Sequence, residues 1–143
     1  MPLLSVVLVG CSNHKNDTVE IENLVRRYNH LLIQGYKKQD MNPMQEVTTE
    51  EHARKLYHHM SALGEGKLRM ESKLKDIKFK NIDQRSNTEA TVETEETWDF
   101  IHYRMSNYEK YAEEKDFIYR MGYILNKKDV RWVITHVNTI SGT

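Results

Sequence analysis

Cysteine occurs once in this sequence, proline twice and glycine only six times in 143 residues. A lone cysteine cannot close an internal disulfide, so no disulfide scaffold holds the chain together. No glycine-rich phosphate loop and no Gly-x-Ser-x-Gly elbow is present, which removes nucleotide-binding and serine-hydrolase readings. An excess of either charge is missing as well: 21 Lys plus Arg balance 21 Asp plus Glu. Without a field of one sign, nothing draws the protein toward nucleic acid or an anionic membrane surface. No apolar run approaches the roughly 20 residues that a membrane-spanning helix needs, and there is no internal repeat or low-complexity segment. The length suits one domain with one core. Metal-binding spacing is absent too. His58 and His59 are adjacent and would point about 100° apart on a helix, while His52 and His59 lie two turns apart; neither pair has the spacing of a helical zinc site. No metal or other cofactor is expected.

What is present begins with the apolar run Pro2 to Gly10, which has the length of a signal-peptide apolar region rather than of a membrane span. It gives way to Cys11 and then to "SNHKNDT", small and polar, the composition of a tether. Leu8-Val9-Gly10-Cys11 resembles the lipobox of bacterial lipoproteins, in which a signal peptidase cuts before a lipid-modified cysteine. The resemblance implies that residues 1–10 are a signal remnant, that Cys11 carries a diacylglycerol on its sulfur, and that residues 11–17 are a tether. It also implies a bacterial cell-envelope location, on the periplasmic or extracellular face of a membrane. Several acyl chains on one residue anchor stably, since each buried methylene contributes about 0.8 kcal/mol and one chain alone is marginal. The alternative is that "LLSVVLV" forms a buried first strand and Cys11 is a small core residue.

From Thr18 the apolar residues Ile21, Leu24, Val25, Tyr28, Leu31 and Leu32 recur at helical spacing, with Asp17 or Thr18 as the N-cap and an end near Gly35 to Lys38. Pro43 after Asn42 marks a connection. Thr48 followed by Glu51 reads as a capping box, and Ala53, Leu56, Tyr57, Met60 and Leu63 form one face of a second helix that Gly64 and Gly66 stop. Beyond Lys67 the period changes to two. Strands are expected within Met70 to Asp83, over Ala90 to Tyr103, from Asp116 to Asn126 and from Val130 to Ile140, with "SNYEKYAEEK" as a charged connection. Helices followed by a four-strand meander define an α+β class with helices covering one face of a curved antiparallel sheet.

That order, together with Arg120, the hairpin at Lys127 to Asp129, and Trp132-Val133-Ile134 followed by His136, resembles the nuclear transport factor 2-like superfamily. The resemblance covers residues 18–143 and implies a cone whose helices and concave sheet face enclose a pocket, shared by ketosteroid isomerase, SnoaL-like cyclases and non-catalytic domains. The catalytic patterns of those enzymes do not carry over onto this chain residue by residue.

In such a pocket Glu96 is the carboxylate that the strand pattern selects, because it shares a face with Val92, Trp98 and Phe100. Aromatic surroundings disfavour the charged form of a carboxylate and suit it to general acid or base work. The alternative is that the long strand leaves the helix cover and Glu96 meets water. His136 is the second catalytic candidate, expected on one face with Trp132 and Ile134, where the alternative is a satisfied strand histidine. Trp98, Arg120 and Tyr123 are binding candidates in the pocket, and Tyr108 and Tyr111, in a charged connection, are candidates for a contact patch. The expected function is a membrane-anchored, non-catalytic binding domain for a protein partner, a second copy of itself or a small apolar ligand. The alternative is an isomerase- or cyclase-type enzyme using Glu96 and His136.

Overall fold

The computed structural model describes residues 16–143. Cys11, the expected signal remnant and the greater part of the expected tether lie outside the described residues. The chain runs α1 (Thr18–Lys38), a 3-10 turn (Asn42–Glu46), α2 (Glu50–Glu65), then β1 (Leu68–Gln84), β2 (Glu89–Arg104), β3 (Lys110–Lys128) and β4 (Arg131–Gly142). The four strands form one antiparallel sheet in chain order, which agrees with the expected α+β meander.

Helix α1 buries Ile21, Val25 and Tyr28, spaced four and three apart on one face. It ends where Gln39 turns into the left-handed region (φ 56°) and returns its N–H to the Gly35 carbonyl. Helix α2 is capped by Thr49, one residue later than the capping box predicts, with the Thr49 hydroxyl accepting from the His52 N–H at 3.3 Å. The Thr48 hydroxyl instead donates to the Met44 carbonyl at 2.9 Å, inside the connection. No described helix is long and apolar enough to cross a membrane.

The helices and the connection pack on one face of the sheet, where Ile21, Val25, Met44 and Val47 meet Val92, Leu125 and Ile134. Each such fully buried side chain stabilises the fold by roughly 1.5–3 kcal/mol. The connection also borders the β4 edge: Thr49 N–H donates to the Ile134 carbonyl at 3.1 Å and Ile134 N–H to Val47 at 2.8 Å, which shields that part of the edge.

Strand β1 reads as an imperfect alternation because it is bulged twice, between Leu74 and Asp76 and between Phe79 and Asn81. Each extra residue, Lys75 and Lys80, reverses the parity, so that Leu74, Ile77, Phe79 and Ile82 can all lie opposite residues of the inward face of β2. Strand β3 starts at Lys110, earlier than the expected Asp116. Its first residues carry no apolar alternation because this end of the sheet extends past the helices and both faces are exposed. Asp116 (φ 57°) sits at an irregularity there, its N–H donating to the Asp99 carboxylate at 2.9 Å.

The residues behind the superfamily resemblance have local explanations. Trp132 and Ile134 are packing residues, both at most 2% exposed. Arg120 is exposed and paired with Glu93 on the face away from the helices. Such residues close any helix-covered meander and do not single out a cone of one superfamily.

Candidate functional site

Strand β2 keeps strict alternation from Ala90 to Trp98, every even-numbered residue buried. The same face continues through Phe100 and His102, where the helices no longer seal it. A cavity of about 490 Å³ opens there between the concave sheet face and the second half of α1. Its floor is Glu96, Trp98 and Phe100 of β2 with Tyr119, Met121 and Tyr123 of β3. Tyr28, Asn29, Leu32 and Tyr36 of α1 and His59 of α2 form the roof, and the exposed Ala112, Glu113 and Glu114 lie at one end.

Glu96 is 1% exposed, so the expectation that it faces inward is met and the alternative that it meets water is not. Its Oε2 accepts from the hydroxyls of Thr94 and Tyr123, each at 2.5 Å, and its Oε1 accepts from the Trp98 indole at 2.9 Å. Three donors converging on one carboxyl is the pattern that an ionised, acceptor-only carboxylate satisfies. The Tyr123 hydroxyl in turn accepts from Asn29 Nδ2 at 3.1 Å, tying the sheet to α1. Burial, and after it the charge of Glu96, pushes the Tyr123 phenol well above its ordinary value. Burial likewise raises Tyr28, and pushes Tyr36 up to about 12. All three phenols therefore keep their protons at neutral pH. The Tyr28 hydroxyl lies 2.9 Å from His52 Nε2, and the Tyr36 hydroxyl is hydrogen-bonded to His59.

The rings form two groups. Trp98 stacks on Phe100 at 5.7 Å with 11° between planes, Phe100 meets Tyr119 edge-on at 6.0 Å, and Tyr28 meets Tyr123 edge-on at 5.8 Å. Among the described residues no three of His, Cys, Asp and Glu are grouped so as to hold a metal ion.

Of the residues selected from sequence, Glu96, Trp98 and Tyr123 come together in the cavity. His136 does not join them. A bulge at Thr135 places Ile134 opposite Leu125 but His136 opposite Ile124, so His136 is exposed and Val137 takes the place in the cavity wall. The expectation that His136 shares a face with Ile134 is thereby corrected. Arg120, between two cavity residues on an alternating strand, points to the other side and is likewise absent from the cavity. Tyr108 and Tyr111 are 64% and 56% exposed at the β2–β3 hairpin, with Arg69 and Arg104 held over their rings at 5.2 and 4.9 Å. Sequence reasoning missed Asn29, and read Asp17 only as the N-cap of α1, not as the partner of Lys127 and Trp132. The signal for Asn29 was a polar residue four positions after Val25 and three before Leu32, on the buried face of α1.

Neither a family model nor a curated protein matches this chain. Among solved structures, the chain is similar to the intermembrane space region of the chloroplast protein ARC6, with a TM-score of 0.73 and 14% identity, over 89% of this chain and 98% of that one. At that identity the likeness concerns the fold alone. It overturns the nuclear transport factor 2-like assignment, since the ARC6 region is a different fold, while the α+β class and the four-strand antiparallel sheet stand.

Proposed function

We propose that this chain is a non-catalytic binding domain, held at a membrane surface of the bacterial cell envelope through a lipidated Cys11, whose concave-face cavity receives a small ligand with an apolar body. The observation that carries the reading is the cavity itself. Its volume of about 490 Å³ falls in the range of small-molecule sites, and its walls are largely aromatic and aliphatic with a few convergent polar groups. Its buried carboxylate is engaged by three internal donors rather than by an imidazole partner, which favours recognition over acid-base chemistry. The isomerase- or cyclase-type alternative is disfavoured because His136 and Glu96 do not converge. Support for the anchor comes from the Leu8-Val9-Gly10-Cys11 motif and the polar tether after it. The similar solved domain is itself an intermembrane space region.

Titration of the chain with the neutral apolar fluorophore N-phenyl-1-naphthylamine tests the ligand site. Saturable binding of one probe per chain that shifts the indole resonance of Trp98 is expected, and non-saturable binding that leaves Trp98 unmoved would count against it. For the anchor, the chain is expressed in a bacterial host behind a complete signal sequence and its intact mass is read after membrane extraction. A chain starting at Cys11 with added acyl mass is expected; an unmodified chain retaining Met1 to Gly10 in the cytosol would remove the anchor. Exposure of Tyr108 and Tyr111 favours a protein partner or a second copy as a second reading. Their joint replacement by Ala should then lower the mass observed in solution or weaken capture of that partner.

A further inference from the structure

Glu96 is buried with neutral donors only: a threonine hydroxyl, a tyrosine hydroxyl and an indole. It forms no ion pair among the described residues. A carboxylate removed from water is strongly favoured by a cation beside it. Among the described residues neither lysine nor arginine lines the cavity, and its two histidines are His59, which is hydrogen-bonded to Tyr36, and His102. At its exposed end stand two further carboxylates. Glu113 is occupied by Lys110 and Lys115 at 3.0 and 3.4 Å, whereas Glu114 has no ion-pair partner among the described residues. The negative charge of Glu114 reaches the Tyr119 phenol inside the cavity, adding to the effect of burial there. Between these charges lie the rings of Trp98, Phe100 and Tyr119, whose electron-rich faces attract a cation that comes within about 6 Å.

An anionic ligand would meet the carboxylates of Glu96, Glu113 and Glu114 and, among the described residues, neither a lysine nor an arginine. A neutral one would leave Glu96 without a counter-charge. We propose that the cavity binds a free organic cation, an alkylammonium or quaternary ammonium centre on an apolar body, with the positive charge between Glu96 and the Trp98–Phe100–Tyr119 wall. The inference rests on the reading of this cavity as a ligand site and adds the charge of the ligand.

The test is an NMR titration of the chain with three probes built on one benzyl group: benzyltrimethylammonium, its neutral isostere neopentylbenzene, and the anion phenylmethanesulfonate. The cation is expected to bind about tenfold or more tightly than the neutral probe, with the anion weakest and the largest shifts at Trp98, Tyr119 and Tyr123. Glu96→Gln is expected to bring the cation and neutral probes to within about twofold of each other. Should that variant not fold, Glu114→Gln, at an exposed position, is expected to reduce the preference by about twofold. Equal or tighter binding of the neutral probe by the unaltered chain overturns the cation assignment and leaves the ligand site standing. If no probe shifts Trp98, Tyr119 or Tyr123, both fall together. Choline against phosphocholine separates a free cation from a lipid headgroup. Phosphocholine places a phosphate beside the carboxylates and is expected to bind more weakly; equal or tighter binding overturns the assignment to a free cation.

Discussion

Two tryptophan indoles in this domain each donate to a buried carboxylate at 2.9 Å, and the two carboxylates differ in what else surrounds them. At the helix-covered end, Asp17 accepts from Trp132 and also holds Lys127 at 3.2 Å, with its side chain 1% exposed. At the open end, Glu96 accepts from Trp98 and two hydroxyls, with a cavity in front of it and no ion-pair partner among the described residues. The first arrangement is electrically complete and joins the start of α1 to β3 and β4. The second is complete in hydrogen bonds but not in charge. Similar chemistry thus serves closure at one end of the sheet and recognition at the other.

Breaking the closed end should have the largest effect. Asp17→Asn leaves Lys127 largely buried without its counter-charge and is expected to cost about 3 kcal/mol, read from the urea unfolding midpoint. Glu96→Gln, which strands no cation, is expected to cost only about 1 kcal/mol by the same measurement. Equal costs would erase the distinction between the two carboxylates. The tryptophans sharpen it further. Trp132→Phe removes a donor from a sealed site and should cost about 2 kcal/mol, whereas Trp98→Phe should cost about 1 kcal/mol, because water in the cavity can replace the lost donor. Ligand titrations should respond in the opposite order, with Trp98→Phe impairing binding and Trp132→Phe leaving it intact.

A smaller, pH-dependent effect is expected from His52, which is buried on α2 against Tyr28. Burial lowers its pKa, and the positive charges of Lys55 and His136 add to the shift. In the unfolded chain His52 takes up a proton below the ordinary histidine value of about 6.5. The folded chain resists that proton, so the unfolded state binds more protons and stability falls as pH drops from that value toward the lowered one. Above it the contribution is complete. His52→Gln should therefore flatten the change in unfolding midpoint between pH 7.5 and 5, and an unchanged slope would assign the dependence to other groups. The smallest effect belongs to the hairpin. Tyr108→Ala and Tyr111→Ala remove exposed rings held by arginines and should each change stability by no more than about 0.5 kcal/mol.

Periodicity made the helices legible, and it made β2 legible as well, because a strand half covered by helices must alternate. That alternation alone put Glu96, Trp98 and Phe100 on one inward face. It failed on β1 and β4 for the same reason in both, since a bulge reverses parity and carries no mark in the residue types around Lys75, Lys80 or Thr135. His136 was misplaced by that reversal. Strand β3 was started too late because its first residues lie beyond the helices, where no core imposes a pattern. Naming a superfamily from the element order, Arg120, the Lys127–Asp129 hairpin, Trp132-Val133-Ile134 and His136 failed because local roles account for these residues: Trp132 packs and donates to Asp17, Ile134 packs, and Arg120 pairs with Glu93.

The sequence by itself determined the order of two helices and four strands, the inward face of the long second strand and the presence of a carboxylate among aromatics on it, all of which follow from local spacing. Only the tertiary structure decided that Asp17 meets Lys127 across 110 positions of chain while Glu96 forms no ion pair among the described residues. Charge compensation is a matter of distance in space, and residue spacing along a chain that folds back on itself does not encode it.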